Sequence, residues 1–439
     1  MHHSPSSAGP EHEKFTEWAI SQGVEINGVA PAQFPGQGVG IAAQRNIDVG
    51  EVIVRVPIGL MLTTKSIPSK FREKFPDNIP VQGLYAAYIC CTEEFQEKFA
   101  PWRAVWPSRQ DFEDTLPILW AQRLKGIKTS GPSYPLLPSS ISGSWNTIAK
   151  RPIKCAYTAE HQNLLPEQEK RFDKAYRVIK QVFQNIDKDT YTYYWLIVNT
   201  RSFHHIPVGT SAPEDRYDAM ALCPFGDYFN HIDEGGGLRY RLSLQIWPKK
   251  GEEIFISYGN HSGDVLLTDC EFHIDSSGKT CYMSKAICER VKAYITKDGF
   301  IPAQNKWDDL FLDDIILKDF SSKDIEALRI DRYLGNYRIT SEGPCYRTEV
   351  AACMKYMTPG DWNSHILGYQ PASFDQRKTN LIIAAWIRAY IHESEVALSK
   401  FTALQQDGKY RGEPQFKIIY MRWKQIIELC NGALKAVVG

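Results

Sequence analysis

Two short stretches decide the fold: residues 221–231, ALCPFGDYFNH, and residues 251–262, GEEIFISYGNHS. In each stretch an apolar run ends in a compact group of polar side chains, which are Asp227, Asn230 and His231 in the first and Tyr258 with Asn260 in the second. A buried core does not require such groups, because burying polar atoms without partners costs free energy. We therefore expect a small polar molecule to bind between the two stretches.

The composition limits the class of protein. A chain of 439 residues that is 43% hydrophobic can form two or three domains with sizeable cores. Its 51 basic and 51 acidic residues balance, which argues against nucleic acid or an acidic membrane as a partner. Neither an apolar run of about 20 residues nor an apolar signal-peptide core in residues 1–14 is present. These properties predict a soluble monomer located in the cytoplasm, the nucleus or both.

The ten cysteines predict neither a metal site nor disulfides. They are scattered along the chain, only Cys90 and Cys91 are adjacent, and no CxxC pair occurs. Structural zinc sites normally show closely spaced pairs of ligands, and disulfides are rare in reducing compartments. We expect most of these thiols to be small core residues.

The amino-terminal part of the chain predicts a short tail followed by strands. Residues 1–14 are expected to form a disordered tail, and residues 52–57 form an alternating, β-branched strand. The run Gly38-Val39-Gly40-Ile41-Ala42-Ala43 formally matches a dinucleotide fingerprint, but no strand precedes it and no helix follows it. We reject a dinucleotide site and expect either a plain glycine turn or a backbone that approaches a cofactor closely.

Helical patterns dominate the rest of the chain. Residues 66–190 are interpreted as a helical insert, and residues 191–203 as an aromatic helix that ends in polar groups. We expect a carboxylate or backbone partner for Arg201, because it lies so close to an apolar run. From residue 301 to the end, helical periodicity predicts an all-α carboxy-terminal domain, which includes helices over residues 307–317 and 322–330. Short strands mixed with helical inserts indicate an α+β fold for the preceding part.

Taken together, these segments resemble the SET-domain methyltransferases of the Rubisco large-subunit methyltransferase type. Four features carry the resemblance in order: residues 38–40 before a turn and a strand, then residues 199–203 (NTRSF), then residues 227–231 (DYFNH), then residues 252–259 (EEIFISYG). It covers nearly the whole chain. It implies a SET domain over residues 15–300, whose short strands form a pseudoknot, and a helical substrate-binding domain over residues 301–439.

The resemblance also implies a chemistry. S-adenosylmethionine (SAM) would be held by Gly38, Val39 and Gly40, with Thr200, Arg201, Asn230 and His231 around its polar parts. Tyr258 would be the catalytic residue at the mouth of a lysine channel, and Phe203, Asp227 and Phe300 would line that channel. The partner would be a non-histone protein substrate, ribosomal or otherwise cytosolic. No metal is required for such a transfer.

The sequence departs from this pattern directly after Tyr258. Residues 270–297 are interpreted as an atypical insertion, and the second channel tyrosine of the relatives is replaced by Cys270 or Asp298. Three readings therefore stay open: a protein-lysine methyltransferase, a catalytically impaired scaffold that binds a partner through its helical domain, and a small-molecule methyltransferase. Tyr258 could also be a core residue at a strand end, His231 a structural histidine, and Asp227 the cap of a turn.

Overall fold

The computed structural model describes most of the chain in ordered elements. The described residues are 5–34, 38–48, 51–120, 136–143, 163–206, 211–213, 218–230, 248–256, 263–269, 273–274, 280–281, 309–406 and 414–439. The α-helices are α1 Pro10–Ser21, α2 Ser69–Arg72, α3 Val81–Cys91, α4 Glu93–Lys98, α5 Ala100–Arg103, α6 Arg109–Thr115, α7 Ser139–Ser142, α8 Leu164–Val182, α9 Lys188–Arg201, α10 Gly263–Asp269, α11 Asp313–Asp319, α12 Ser322–Ile330, α13 Tyr346–Met354, α14 Pro359–Ile366, α15 Gln376–Gln406 and α16 Pro414–Val438.

The strands are short and pair in antiparallel fashion. They are β1 Ser6–Ser7, β2 Glu25–Ile26, β3 Val29–Phe34, β4 Gly38–Ala43, β5 Val54–Arg55, β6 Ser202–His204, β7 Met220–Leu222, β8 Glu253–Ile254, β9 His273–Ile274, β10 Thr280–Cys281, β11 Leu310–Phe311, β12 Arg338–Thr340 and β13 Gly343–Pro344. The largest described sheet has the order β1-β3-β4-β8, and four smaller groups are β2-β5, β6-β7, β9-β10 and β11-β12-β13. Many short strands combined with long helices confirm the α+β class.

The glycine segment is a strand rather than a turn. Strand β4 pairs with β3 along its whole length, from Phe34 opposite Gly38 to Val29 opposite Ala43. On its other side it pairs with β8, where Ile41 lies opposite Ile254. A central strand cannot serve as the turn into a helix that a dinucleotide fingerprint requires, which supports the rejection of that site.

The expectation of a disordered tail over residues 1–14 is wrong for residues 5–14. Strand β1 pairs with β3, and α1 begins at Pro10 with Glu11 and Glu13 in its first turn. Proline at the first helical position and acidic residues near the helix amino terminus are favourable there. Burial of Phe15 then fixes α1 on the first core. The polar composition of residues 1–14 suggested disorder, and the helix-start signals within it were therefore overlooked.

Helix α3 of the insert region and the aromatic helix that follows the insert carry one end of the candidate site. The aromatic segment forms α9, which begins after the Asp187 cap and ends at Arg201, and Phe203 lies in β6. Helix α3 packs against α9. The amide nitrogen of Gln82, near the start of α3, donates to Asn199 Oδ1 at 2.9 Å, near the end of α9. The two helices are therefore antiparallel.

Two large cores divide the described residues. The first gathers strands and helices between Phe15 and Ile254. The second contains the helices after residue 310, and it also takes in apolar side chains from earlier segments, among them Leu137, Ile141, Leu164 and Val265. Trp423 Nε1 donates to the Leu136 carbonyl at 2.7 Å across this second core. The proposed boundary at residue 300 lies outside the described residues and stays a prediction.

The carboxy-terminal region is helical, as expected, but not purely so. Helix α12 has the predicted bounds. The predicted helix over residues 307–317 is wrong at residues 310–312, because residues 310–311 form strand β11 and α11 begins only at Asp313; residues 307–308 lie outside the described residues. Strand β11 belongs to a three-stranded sheet with β12 and β13. Separately, none of the described helices is both long and apolar enough to cross a membrane.

Candidate functional site

The site is built around Gly40, where three predicted features meet. Asn230 is 5% exposed, and its amide nitrogen donates to the Val39 carbonyl at 3.3 Å and to Glu253 Oε1 at 2.7 Å. A Cβ at Gly40 would lie 2.3 Å from Glu253 Oε1 and 2.8 Å from Asn230 Nδ2. Any larger residue would collide with both side chains, so this close approach requires glycine.

The backbone joins the two stretches quoted at the start. The amide of Ile256 donates to the carbonyl of Asn230 at 2.9 Å. Strand β8, which contains Glu253, is hydrogen-bonded to β4. The glycine strand, the Asn230 segment and the segment leading to Tyr258 are therefore neighbours in space.

A second polar cluster centres on Asp227. Its Oδ2 accepts from Arg201 Nε at 2.9 Å and from Trp102 Nε1 at 3.0 Å, while the Asp227 carbonyl accepts from Arg201 Nη2 at 3.0 Å. The side chains of Arg201 and Asp227 are 11% and 4% exposed, respectively. The expectation that Arg201 has a carboxylate or backbone partner is confirmed, because Asp227 supplies both.

A tight turn connects the two clusters. Residues Gly226–Tyr228 form a 3-10 turn that lies against β4. The preceding residue, Phe225, is fully buried and has φ 69 and ψ −34. Such a conformation in a non-glycine residue costs on the order of 1–3 kcal/mol and persists only where the surroundings enforce it. Here the ring of Phe225 packs against Phe15 and Tyr228, at centroid distances of 6.2 and 5.4 Å.

The amino-terminal helix closes over this turn. His12 Nδ1 lies 2.7 Å from the hydroxyl of Tyr228. Burial lowers the pKa of His12; the charge of Glu11 opposes this effect in part, and the smaller effect of the Arg201 charge adds to the lowering. Burial, together with the charge of Asp227, raises the pKa of Tyr228, so its hydroxyl stays neutral.

The remaining predicted residues fall into two groups. Thr200 is the next-to-last residue of α9, and its hydroxyl donates to the Leu196 carbonyl at 2.9 Å; Phe203 lies opposite Ala221 in the β6-β7 pair. His231, Tyr258, Asn260 and Phe300 lie outside the described residues, as do the crossing of the pseudoknot and most of the insertion over residues 270–297.

Two residues of these clusters were not predicted from the sequence. Glu253 lies within the quoted stretch, but only the strand register shows that its carboxylate covers Gly40. Trp102 precedes Asp227 by 125 residues and carried no local signal. Among the described residues, no group of three or more histidine, cysteine, aspartate or glutamate side chains has the arrangement to hold a metal ion.

Known proteins resemble this chain over nearly its whole length. Human SET domain-containing protein 4 is 22% identical, covering 97% of this chain and 91% of the relative. Ribosomal lysine N-methyltransferase set11 of Schizosaccharomyces pombe is 21% identical, covering 95% of this chain and 96% of the relative. No protein-family model matches the sequence.

A solved structure shares the fold. The SET domain of LSMT bound to lysine and AdoHcy superposes with a TM-score of 0.54 at 14% identity, and covers 98% of this chain and 92% of that one. The chain thus resembles SET-domain protein-lysine methyltransferases in sequence and has the fold of the Rubisco large-subunit methyltransferase type.

Proposed function

We propose that this protein is a SAM-dependent protein-lysine N-methyltransferase. The observation that carries the proposal is the hydrogen bonding of Asn230 to Val39 and Glu253 beside Gly40. It joins the glycine strand to the two polar stretches at one point, which is where the family resemblance requires the cofactor. A glycine strand located elsewhere in the fold would have left the proposal without support.

The residues present fit SAM as cofactor. The Gly38-Val39-Gly40 backbone, Thr200, Arg201, Asn230 and His231 would hold it. A guanidinium suits its carboxylate, and Asn230, whose amide nitrogen donates to Val39 and Glu253, would offer its Oδ1 as an acceptor to other polar groups. When bound, SAM supplies a methyl group on a positively charged sulfur. The chain's own contribution is mainly alignment of that methyl with the amine, which can lower a barrier by about 7–11 kcal/mol.

The lysine amine must be neutral to attack. Its pKa in water is about 10.4, so the site must favour loss of a proton. An apolar channel and an adjacent positive charge both do so. Tyr258 would orient the amine through its hydroxyl without being ionised.

The proposed substrate is a non-histone protein found in the cytoplasm or nucleus. One relative bears the name ribosomal lysine N-methyltransferase, which supports a ribosomal or other cytosolic target. The helical region after residue 310 is the proposed substrate-binding surface, by resemblance to the family.

Two measurements test the proposal. Calorimetry should detect SAM binding to the wild type, and labelled methyl groups should enter proteins of a cell extract. Replacement of Tyr258 by Phe should abolish most labelling while SAM binding persists. Equal labelling by Tyr258→Phe would contradict the role of Tyr258, and absence of SAM binding to the folded wild type would contradict the whole proposal.

Gly40→Ala tests the cofactor strand directly. The added methyl would collide with Glu253 and Asn230, so we expect at least a tenfold loss of SAM affinity and a loss of about 1–3 kcal/mol in stability. Gly59→Ala is a matched control, because no atom lies within 4 Å of the added carbon. Equal SAM affinity in both variants would exclude this part of β4 from the cofactor site.

A further inference from the structure

Trp102 links the helical insert to the polar cluster around Asp227. It lies in α5, its side chain is fully buried, and its Nε1 donates to Asp227 Oδ2 at 3.0 Å. The same oxygen accepts from Arg201 Nε at 2.9 Å. One carboxylate oxygen therefore receives hydrogen bonds from two elements that are far apart in the sequence.

Neighbouring aromatic rings hold the indole of Trp102 in one orientation. The ring of Phe99 packs against it with the centroids 5.8 Å apart and an interplanar angle of 60°, and the ring of Trp106 does so at 5.1 Å and 73°. Trp18 of α1 packs in turn on Phe99, with the centroids 5.6 Å apart. Such edge-to-face contacts are favourable, and a densely filled core leaves a large side chain few alternative rotamers. The direction of the Nε1–H bond of Trp102 is thereby fixed.

This fixed donor sets the rotation of the Asp227 carboxylate. The Asp227 side chain is 4% exposed, so water competes little for its oxygens. Arg201 contacts this residue twice, through Nε to Oδ2 and through Nη2 to the main-chain carbonyl. Because a guanidinium is planar and rigid, two contacts with one partner determine the direction of its remaining N–H groups. Trp102 thus acts on the Arg201 guanidinium through Asp227.

Two other tryptophans of the same core show that this hydrogen bond does not follow from burial alone. Trp106 and Trp195 are both buried, and the Nε1 of each makes no hydrogen bond to any residue that the structure describes. At Trp102, in contrast, the N–H is directed at a carboxylate of the candidate site. Trp106→Phe is therefore a matched control for Trp102→Phe, because it removes an indole from the same core without removing a described hydrogen bond.

We propose that Trp102 is a positioning residue for the cofactor: through Asp227 it holds the Arg201 guanidinium in the orientation that receives the carboxylate of SAM. This role rests on the proposed function, in which Arg201 lies at the polar parts of SAM. It gives the helical insert a part in cofactor binding that neither the glycine strand nor the Asn230 segment supplies. Trp102 acts on SAM only by way of Asp227 and Arg201.

Calorimetry with two ligands tests this role. SAM and decarboxylated SAM differ only in the carboxylate, so a misdirected Arg201 should weaken the binding of the first ligand and not of the second. Trp102→Phe should bind SAM roughly tenfold more weakly, as expected when one hydrogen bond to a charged group is lost, and should bind decarboxylated SAM with unchanged affinity. Trp106→Phe should bind both ligands as the wild type does.

Three results of this comparison would overturn the proposal. Equal weakening of both ligands in Trp102→Phe would indicate a general loss of structure. Unchanged SAM affinity in Trp102→Phe would show that the hydrogen bond to Asp227 has no effect on the cofactor. The same selective loss in Trp106→Phe would show that the indole N–H of Trp102 is not the cause.

A double variant tests whether Trp102 acts through Arg201. Arg201→Lys keeps the positive charge but loses the planar array of donors, so it should also weaken the binding of SAM selectively. Adding Trp102→Phe to Arg201→Lys should then cost little further affinity, because the group that Trp102 orients is already gone. Additive losses would show that Trp102 acts by another route and would overturn the proposal.

A second form of the protein covers the case in which Trp102→Phe does not fold. A tryptophan isostere with sulfur in place of the indole nitrogen, introduced at position 102, removes the donor and keeps the size of the ring, and the same two-ligand comparison applies. Wild-type protein that binds SAM and decarboxylated SAM equally well would overturn this inference alone. Absence of SAM binding to the folded wild type would overturn the proposed function as well.

Discussion

Among the residues that the structure describes, two buried arginine–aspartate pairs have different surroundings. Arg201 and Asp227 lie beside the candidate site, 2.9 Å apart, with side chains 11% and 4% exposed. Arg422 of α16 and Asp264 of α10 lie 2.7 Å apart in the second core, 1% and 2% exposed. The same kind of ion pair thus occurs once beside the candidate site and once in the interior of the second core.

The partners of each pair show what it does. Asp264 also accepts a hydrogen bond from the Ser140 hydroxyl, and Arg422 Nη1 donates to Gln425 at 3.1 Å. This pair ties together three segments that are remote in sequence, so its role is to fix packing. Asp227 instead accepts from Arg201 and Trp102 on the turn that leads to Asn230. The Arg201–Asp227 pair therefore fixes the turn that leads to Asn230, whereas the Arg422–Asp264 pair holds packed segments together.

The largest expected effect comes from breaking the interior pair. Arg422→Met leaves the Asp264 carboxylate buried without its cation, which should cost about 3–5 kcal/mol in the free energy of unfolding. Urea denaturation measures this loss. The double variant Arg422→Met, Asp264→Leu should recover much of it, because no uncompensated charge remains. A double variant as unstable as the single one would show that packing, rather than charge, dominates there.

Weakening the Arg201–Asp227 pair should cost less stability than Arg422→Met does, but more methyl-transfer activity. Asp227→Asn weakens hydrogen bonds to a charged group, which should cost about 1.5–3 kcal/mol. Methyl transfer should fall well beyond the decrease in folded protein, because Arg201 loses its orientation. Measuring transfer per folded molecule, with Arg422→Met as the reference, separates the two roles. Equal activity per folded molecule in both variants would remove the distinction.

The smallest effect is a pH dependence near the site. Because the pKa of folded His12 lies below the value near 6.5 of the unfolded chain, the unfolded state takes up the proton first as the pH falls. Stability should therefore decline below pH 6.5 and level off below the folded pKa. His12→Phe should remove this part of the pH dependence. Denaturation midpoints measured between pH 5 and 8 test this expectation. Stability that rises as the pH falls would contradict it and would show that protonation of His12 strengthens the contact with Tyr228.

Local signals were sufficient for much of the fold. Helix α12 has a Ser321–Asp324 capping box, and its bounds match the prediction. Arg201 was correctly expected to have a partner, since an apolar helix leading into a cation requires one. Asn230 was selected as a polar residue after an apolar run, the resemblance added Gly40 as a cofactor residue, and the structure brings the two together. The cofactor roles assigned to them stay predictions.

Non-local pairing explains what the sequence did not reveal. Strand β11 has only two residues, and it is stabilised by the pairing of Leu310 with Ile339. A pairing between residues this far apart leaves no periodic pattern in the local sequence. The same holds for the bond from Trp102 to Asp227 and for the pairing of β1 with β3. Short segments whose partners are far away in sequence do not stand out by composition.

The second core also bears on how the chain folds as it is synthesised. Its earlier members, Leu137, Ile141 and Leu164, leave the ribosome long before Phe416 and Trp423, against which that core is completed. At about 5–20 residues per second, the interval, which runs from Leu164 to Phe416 at its shortest and from Leu137 to Trp423 at its longest, lasts roughly 10–60 s. During that time these apolar side chains lack their final partners, so this part of the nascent chain exposes apolar surface of the kind that favours aggregation.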